Sequence, residues 1–248
     1  NVEALRFLAA LFVVLYHVPT IGIGAFGADI FFVISGFVMM LSTHESYRHF
    51  LLKRIIRIVP TYWAATLGVF VIAIAYPSVL KSTSSDITHL IKSFFFIPFD
   101  KNGVEHQPVL AVGWTLNYEM FFYLLFSLSL SVNHRFRGVI VSVMLLAVLM
   151  LSKDFDAFEA EVYGNFIVME FALGILLYMH LYQIEKIQKV LLVLILIIAS
   201  IVANDWTNRF YSWGIPSVIF VYLVVKYVSH GKVPKVFITL GGMSYALY

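Results

Sequence analysis

Residues 5–18 read LRFLAALFVVLYHV, an apolar stretch with Arg6 near its start and His17 near its end. Ten residues without a charge separate these two side chains. In an α-helix, the eleven steps from Arg6 to His17 make about three turns and rise about 16 Å. The two side chains are therefore expected on one helix face, near opposite ends. In a simpler interpretation, Arg6 reaches lipid headgroups and His17 caps the helix.

The composition sets the environment of this helix. Of 248 residues, 61% are hydrophobic and 12% are charged, and the mean hydropathy is +0.90. Soluble domains carry about 25% charged residues, so lipid is the expected solvent for most of the chain. The net charge of +3 then gives no reason to expect a nucleic-acid partner. The absence of cysteine excludes disulfides, thiolate metal sites and a cysteine-bound acyl group, and no metal site is predicted.

Apolar segments of bilayer length recur along the chain and predict an all-α, polytopic transmembrane helix bundle. Nine spans are predicted, the last of them incomplete: 3–20, 26–43, 58–77, 112–131, 137–152, 163–182, 187–203, 209–229 and from 236. The apolar segment LIKSFFFIPF, at 90–99, is too short to span and is expected at the interface or re-entering the membrane. Residues 1–248 are interpreted as one domain, truncated at its carboxyl end.

Lys and Arg are distributed unevenly over the segments that join these spans. With the amino terminus inside, most of them fall on the cytoplasmic side, although the longest loop lies outside. Cytoplasmic loops are enriched in Lys and Arg, so this orientation is predicted.

The second span contains GADIFFVISGFVMM, residues 27–40. Asp29 is expected near its outer end, and Ser35 and Gly36 are expected at mid-span. Small residues at this depth usually indicate close helix packing. An alternative is that they let a substrate pass near the backbone.

The segment KRIIRIVPTYW, residues 53–63, carries three cations before Pro60, which is expected to open the third span. Arg54 and Arg57 are three residues apart and share a helix face, with Lys53 beside them. Positive-inside bias alone would place cations here. Paired arginines at this spacing also suit bidentate binding of phosphate groups.

The fourth span begins within GWTLNYEMFFYLLF, residues 113–126, and places Glu119 one to two turns inside the membrane. A carboxylate at that depth costs about 2.5–3.5 kcal/mol or more, so it is expected to have a partner or a function. Glu170, within FIVMEFALGILLY at 166–178, is a second buried acid. Glu170 is interpreted either as a structural partner of a helix Arg or Tyr or as a functional group.

Four motifs in this order resemble the membrane-bound acyltransferase 3 family. They are the arginine–ten residues–histidine spacing, FFVISGF at 31–37, KRIIRIVPTYW at 53–63 and GWTLNYEMFFYLLF at 113–126. The resemblance covers the whole chain and is closest to the bacterial branch that acetylates exopolysaccharides. Members of the family have about ten core helices.

The resemblance implies transfer of an acyl group, usually acetyl from acetyl-CoA, to a hydroxyl of an envelope glycan. It implies a multi-pass protein of the bacterial inner membrane, in contact with lipid, whose partners are an acyl-CoA donor, a carbohydrate or glycolipid acceptor and polysaccharide assembly machinery. Acyl-CoA would be a co-substrate, and no permanently bound cofactor is expected.

The expected catalytic residues are His17, as general base, Glu119 and Arg6. Donor phosphates are assigned to basic residues before the third span, and further substrate contacts to residues of the second and fourth spans. The expected substrate-binding residues are Lys53, Arg54, Arg57, Ser35, Trp114 and Tyr118.

Two other function classes stay open at this point. Buried Arg, His and Glu side chains also fit a proton-coupled secondary transporter of a small anion or metabolite. Against this, the sequence has no internal repeat. The polar residues could also serve only to join helices in a structural partner of a glycan synthase.

Overall fold

The computed structural model describes residues 2–17, 26–76, 86–100, 107–203 and 209–228, together with positions 236, 239 and 241. These residues contain ten α-helices and no β-strand, as the all-α prediction requires. The helices are α1 (Val2–His17), α2 (Gly27–Ser42), α3 (Phe50–Ala75), α4 (Ile87–Phe94), α5 (Trp114–Val132), α6 (Arg137–Leu151), α7 (Phe158–Tyr163), α8 (Met169–Leu181), α9 (Lys186–Ala203) and α10 (Ile215–Leu223). The span predicted from 236 falls outside the continuous described ranges.

Short helical turns extend three of these helices. The 3₁₀ turns Ala111–Gly113 and Phe166–Val168 lead into α5 and α8. The π-helical turns Phe210–Gly214 and Val224–Val228 flank α10, so helical structure covers nearly all of the span predicted at 209–229.

The third helix differs from its prediction. It begins at Phe50, eight residues before the predicted span at 58, and Pro60 lies inside it. Pro60 therefore does not open the helix, and that expectation was wrong. The side chain of Pro60 is exposed, and the Leu, Ile, Lys and Arg residues before it are good or fair helix formers. Proline inside a helix costs one backbone hydrogen bond and commonly kinks the helix, and α3 continues past Pro60 to Ala75.

Helix α2 forms the centre of the bundle, and twelve of its sixteen residues are buried. It packs against α1, α5, α8 and α10. Its closest neighbour is α8, which runs parallel to it. A Cβ added at Gly36 would collide with the carbonyl oxygen of Phe171, and one added at Gly174 would collide with that of Val33. The small residue Gly36 thus serves close helix packing, the first of its two interpretations.

Helix α3 lies at the periphery and exposes apolar side chains, among them Ile56, Leu67, Val71 and Ile74. Within the described ranges, α3 alone combines the length and apolar composition that crossing a membrane requires. Four shorter apolar helical stretches accompany it: Leu5–Leu15, Gly27–Ser42, Phe166–Leu181 and Phe210–Lys226. The number of membrane crossings stays a prediction.

The short apolar segment after α3 forms α4 and the turn that follows it. Asp86 caps α4 by accepting a hydrogen bond from the amide of Thr88 at 2.9 Å. The indole of Trp63 on α3 donates to the carbonyl of Phe94 at 3.0 Å. These contacts place α4 against α3 rather than through the bundle, in agreement with a segment too short to span.

Candidate functional site

A cleft of about 300 Å³ opens where α2 ends and α3 begins, at what is here called the basic end of the bundle. Four of the residues that line it carry a positive charge, and none of the described lining residues is acidic. The lining residues are Ser42, Ser46, Tyr47, Arg48, Phe50, Lys53, Arg54 and Arg57. Such a concave, cationic site can bind a polyanion of the size of a nucleotide.

The helical spacing of the motif explains how α3 contributes to this cleft. The predicted cations Lys53, Arg54 and Arg57 all line it. Lys53 is exposed, whereas Arg54 is 9% exposed and its Nη2 donates a hydrogen bond to Ser42 Oγ at 2.8 Å. The Ser42 contact orients one arginine, so the fork of donors is partly arranged before any ligand binds.

Behind the cleft, Arg54 continues into the core through aromatic contacts. Its Cζ lies 5.4 Å from the ring centroid of Phe50 and 5.5 Å from that of Tyr123. Arginine above an aromatic face at this distance is a cation–π contact. Tyr123, on α5, is 1% exposed and connects the basic end to the interior.

The acid predicted in α5 lies at the end of this path. Glu119 is 8% exposed, and Oε1 accepts hydrogen bonds from the hydroxyl of Tyr123 and, at 3.4 Å, from Ser35 Oγ. Contacts therefore run without a break from Ser42 through Arg54, Tyr123 and Glu119 to Ser35. We call these five residues the inner network. It brings three predicted elements together, the cationic motif, Glu119 and Ser35, through Tyr123 and Ser42, which were not predicted.

Arg6 and His17 are not among the described residues that line the cleft. Arg6 is 3% exposed within α1, whose close approach to α2 is set by Gly27, where a Cβ would lie 2.9 Å from the Ala9 carbonyl oxygen. Helix α1 ends at His17, so the predicted helix joins the two residues. The side chain of His17 lies outside the described part of the structure. The roles of both residues stay predictions.

Trp114 and Tyr118, predicted to bind substrate, lie away from the basic cleft, near the start of α5. The Trp114 ring packs edge-on against Phe32 and Tyr118, with centroids 6.2 and 6.0 Å apart. Tyr118 is 7% exposed, and its hydroxyl donates to the carbonyl of Val162 at 2.9 Å. The described contacts of these two residues are those of a packed core, and the structure does not bring them together with the cations.

A second polar cluster lies at the opposite end of the bundle, where α2 and α8 begin; we call it the acidic cluster. Arg209 binds Asp29 through two hydrogen bonds, Nε to Oδ1 at 2.8 Å and Nη2 to Oδ2 at 2.6 Å. Glu170 lies within reach of both of them, and neither of its oxygens receives a hydrogen bond from a described donor. Asp29 and Glu170 are both fully buried, and Arg209 pairs with Asp29 rather than with Glu170. The role of Glu170 stays a prediction.

Sequence reasoning missed several residues of the basic cleft and of the inner network. Tyr123 carried a signal, because it stands four residues after Glu119 and so shares its helix face. Ser42, Ser46, Tyr47 and Arg48 carried none that pointed to a ligand, since they lie at a helix end and in a loop without periodicity. No group of three or more His, Asp or Glu residues in the described ranges is arranged to hold a metal ion.

Comparison with known proteins places this geometry in context. The exopolysaccharide production protein ExoZ of Rhizobium meliloti (strain 1021) is 38% identical over 161 residues. The match covers 62% of this chain and 50% of that protein, so the matched region spans about half of the relative's length. No solved structure matches the chain.

The family comparison covers the whole sequence. The sequence model of the acyltransferase 3 family, described as an acyltransferase domain, matches residues 1–248. That range includes all four motifs from which the resemblance was inferred. The chain therefore belongs to the acyltransferase 3 family.

Proposed function

We propose that this protein is an integral-membrane O-acyltransferase that moves an acetyl group from cytoplasmic acetyl-CoA to a hydroxyl of an exported polysaccharide. The observation that carries the proposal is the inner network, which connects a four-cation cleft to a buried carboxylate. The name of the relative, a protein of exopolysaccharide production, supports a polysaccharide acceptor.

We assign the binding site of the acetyl-CoA donor to the basic cleft. CoA carries a diphosphate and a 3′-phosphate, and a terminal phosphate bears a charge of about −1.5 to −2 at neutral pH. Arg48, Lys53, Arg54 and Arg57 supply matching positive charge. Arginine can bind phosphate oxygens in pairs, which fixes the donor's orientation as well as its affinity.

The transfer step needs a base and an anion-stabilising environment. His17 removes the proton of the acceptor hydroxyl, and the oxygen of that hydroxyl attacks the thioester carbonyl carbon. The C–O ester bond forms, the C–S bond breaks, and the CoA thiolate takes up the proton. In this scheme Glu119 orients or protonates the base, and Arg6 acts near the donor end of α1. About 16 Å of helix separates the backbones of Arg6 and His17, so they serve different parts of one pathway.

A membrane location fits the exposed surface. Large apolar side chains cover the outer faces of α3 and α9, including Ile56, Val71, Leu194 and Ile201. A surface of this kind suits lipid rather than water. Positive-inside bias assigns the basic end to the cytoplasm of a bacterial inner membrane and the amino terminus to the same side.

Single cysteines test this orientation, because the chain has none of its own. Asp156→Cys, in the exposed segment after α6, should react with an impermeant maleimide in intact cells. Arg135→Cys, exposed beside the basic end, should react only after the membrane is opened. The reverse pattern would invert the orientation.

The activity itself is tested with purified full-length protein, labelled acetyl-CoA and a candidate polysaccharide. Ester-linked label on the glycan is the expected result. Label that enters vesicles without ester formation would instead support the transporter alternative. If neither occurs with polysaccharide from the producing cells, the protein is a structural partner and the proposal fails.

The division of labour between the two ends is tested by variants. Arg54→Ala and Arg57→Ala should weaken acetyl-CoA binding, because each removes a phosphate contact, and Arg6→Ala should do so if it also faces the donor. His17→Ala should bind donor nearly normally and transfer nothing. Arg135→Ala, an exposed arginine paired with Glu185, is the matched control. Equal loss of donor binding in His17→Ala, measured by calorimetry, would contradict this division.

A further inference from the structure

Tyr47 stands out among the residues that line the basic cleft. It is 47% exposed, and it lies in the loop between α2 and α3 rather than on a helix. One face of its ring stacks on the imidazole of His134, with centroids 4.8 Å apart and planes 25° from parallel. A ring covered on one face and bordering a cleft has its other face left for a ligand.

The imidazole beneath Tyr47 is itself held in place. His134 Nε2 donates to the carbonyl of Thr43 at 2.6 Å. Thr43 is fully buried, and its Oγ1 accepts a hydrogen bond from Arg137 Nε at 2.9 Å. Arg137 also donates to the carbonyl of Met40 at 3.1 Å. Tyr47 therefore rests on a support that is anchored to the end of α2 and to the start of α6.

We propose that the Tyr47–His134 stack is a binding platform for the adenine base of the CoA donor. The inference rests on the proposed function and extends it from the phosphates to the base. The flat aromatic face and the four cations border the same cleft, so one ligand can use both. A 3′-phosphoadenosine group has this combination of a planar base and clustered negative charge.

A platform for adenine implies that the acyl donor is free acyl-CoA rather than an acyl group carried on a protein. Acyl groups can also be carried on phosphopantetheine attached to a protein, a donor that has a phosphate but no adenine. Stacking of a base on an aromatic side chain typically contributes enough to change affinity about tenfold or more. Because the support of Tyr47 is fixed before binding, little ordering is needed when the base arrives.

The first test uses the unmodified, full-length protein and two small probes. Adenosine 3′,5′-bisphosphate is compared with the same sugar bisphosphate lacking the base, by calorimetry in detergent. Both present the same phosphates to the cations. The adenosine compound is expected to bind about tenfold more tightly. Equal affinities would overturn the platform without the need for any variant.

The second test removes the aromatic face. Tyr47→Ala should weaken binding of CoA and of adenosine 3′,5′-bisphosphate about tenfold and leave 4′-phosphopantetheine binding unchanged. Tyr47→Phe should restore the affinity, because it keeps the ring. Tyr76→Ala, which removes an exposed tyrosine just after α3, is the matched control.

The outcomes separate this inference from the proposed function. If CoA binds and supports transfer but Tyr47→Ala leaves its affinity unchanged, the platform is wrong and the proposed function stands. If the protein does not bind CoA at all, the donor assignment fails together with the platform. A Tyr47→Ala effect that is equally large for 4′-phosphopantetheine would make Tyr47 a structural residue and overturn the inference.

Discussion

The bundle contains two buried groups of polar residues with similar composition. One leads to an open cleft, and the other is enclosed by the helices. The inner network joins Glu119 to Arg54, and Arg54 lines an open cleft. In the acidic cluster Arg209 binds Asp29, Glu170 lies nearby, and both carboxyl groups are fully buried. The inner network combines an arginine with one carboxylate and the acidic cluster combines an arginine with two, so residue type alone does not distinguish them.

The difference lies in what surrounds each group. In the inner network the links are single hydrogen bonds and ring contacts, arranged in a row that leads toward the cleft. In the acidic cluster the ion pair is bidentate and connects α2 to residues 209–214. A Cβ on Gly214 would lie 2.8 Å from Glu170 Oε1, so the chain closes over the acid. The first arrangement suits chemistry with a ligand, and the second suits assembly of the helices.

The largest effect is expected where both groups depend on one helix. Helix α2 carries Asp29 at one end and Ser35 and Ser42 toward the other, and Gly36 sets its distance from α8. Gly36→Ala places a Cβ against the backbone carbonyl of Phe171, which no side-chain rearrangement can relieve. We expect loss of folded protein, measured as monodisperse protein recovered by size-exclusion chromatography.

The control for this prediction is Gly68→Ala on the outer face of α3, where nothing lies within 4 Å of the added Cβ. That variant should accumulate like the unmodified protein, because alanine is the better helix former. Normal yield of Gly36→Ala would mean that α2 and α8 are not packed backbone to backbone.

The next largest effect concerns the acidic cluster alone. Arg209→Met leaves two buried carboxyl groups without their cation and should lower the free energy of unfolding by about 3 kcal/mol. This is the lower end for a broken buried pair, since the side chain of Arg209 is 36% exposed. Thermal unfolding in detergent measures the loss, with Lys53→Met at the basic cleft as the control.

A second substitution sharpens this test. In the double variant Asp29→Asn with Arg209→Met, one uncompensated carboxylate is gone, so part of the stability should return. Strictly additive losses from the two substitutions would show that the ion pair contributes nothing as a pair.

The inner network should affect rate more than stability. Glu119→Gln keeps the shape of the side chain and removes its ionisation, and should lower transfer about 100-fold or more while the protein still accumulates. Glu170→Gln should leave transfer nearly unchanged, because its amide can donate a hydrogen bond to Asp29. Turnover with labelled acetyl-CoA measures both. A severe loss in Glu170→Gln with normal activity in Glu119→Gln would exchange the roles of the two acids.

The smallest effect is expected outside both groups, where α4 meets α7. Lys92 Nζ donates to Glu159 Oε1 at 2.9 Å, and this hydrogen bond holds the pKa of Glu159 below its ordinary value. Both side chains are more than a third exposed, at 34% and 39%. Lys92→Met should therefore cost about 0.5 kcal/mol or less at pH 7.

The pH dependence of this pair has a definite sign. A carboxyl group whose pKa is lower in the folded state stabilises the fold at neutral pH and loses that contribution as the pH falls through the folded pKa. The difference in unfolding temperature between Lys92→Met and the unmodified protein should therefore begin to shrink as the pH falls below about 4.3, the ordinary pKa of Glu, and vanish below the lower folded pKa. A difference that does not shrink as the pH falls would show that Lys92 acts through packing.

Local sequence patterns predicted the parts of the molecule that depend on near neighbours. The apolar runs at 112–131 and 187–203 correspond to α5 (Trp114–Val132) and α9 (Lys186–Ala203) within two residues. The three-residue spacing of Arg54 and Arg57 was enough to place both on one face, and both line the cleft.

Contacts distant in sequence could not be predicted. Arg209 lies 180 residues from Asp29, and the sequence around either residue does not indicate that the two form an ion pair. Tyr47 belongs to a loop, where no periodicity assigns a direction to the side chain. The start of α3 was missed because Pro60 was expected to open the helix, whereas Pro60 lies inside a helix that begins ten residues earlier, at Phe50.

The reciprocal contact of Gly36 and Gly174 also restricts which substitutions the packing of α2 on α8 accepts. Every other amino acid adds at least a Cβ, and at these two positions a Cβ meets backbone, which is the same whatever the neighbouring side chain is. No second substitution can therefore relieve a larger residue at Gly36 or Gly174, whereas the apolar residues around them can exchange with one another. Homologues that keep this packing are expected to carry glycine at both positions even where the rest of the two helices has diverged.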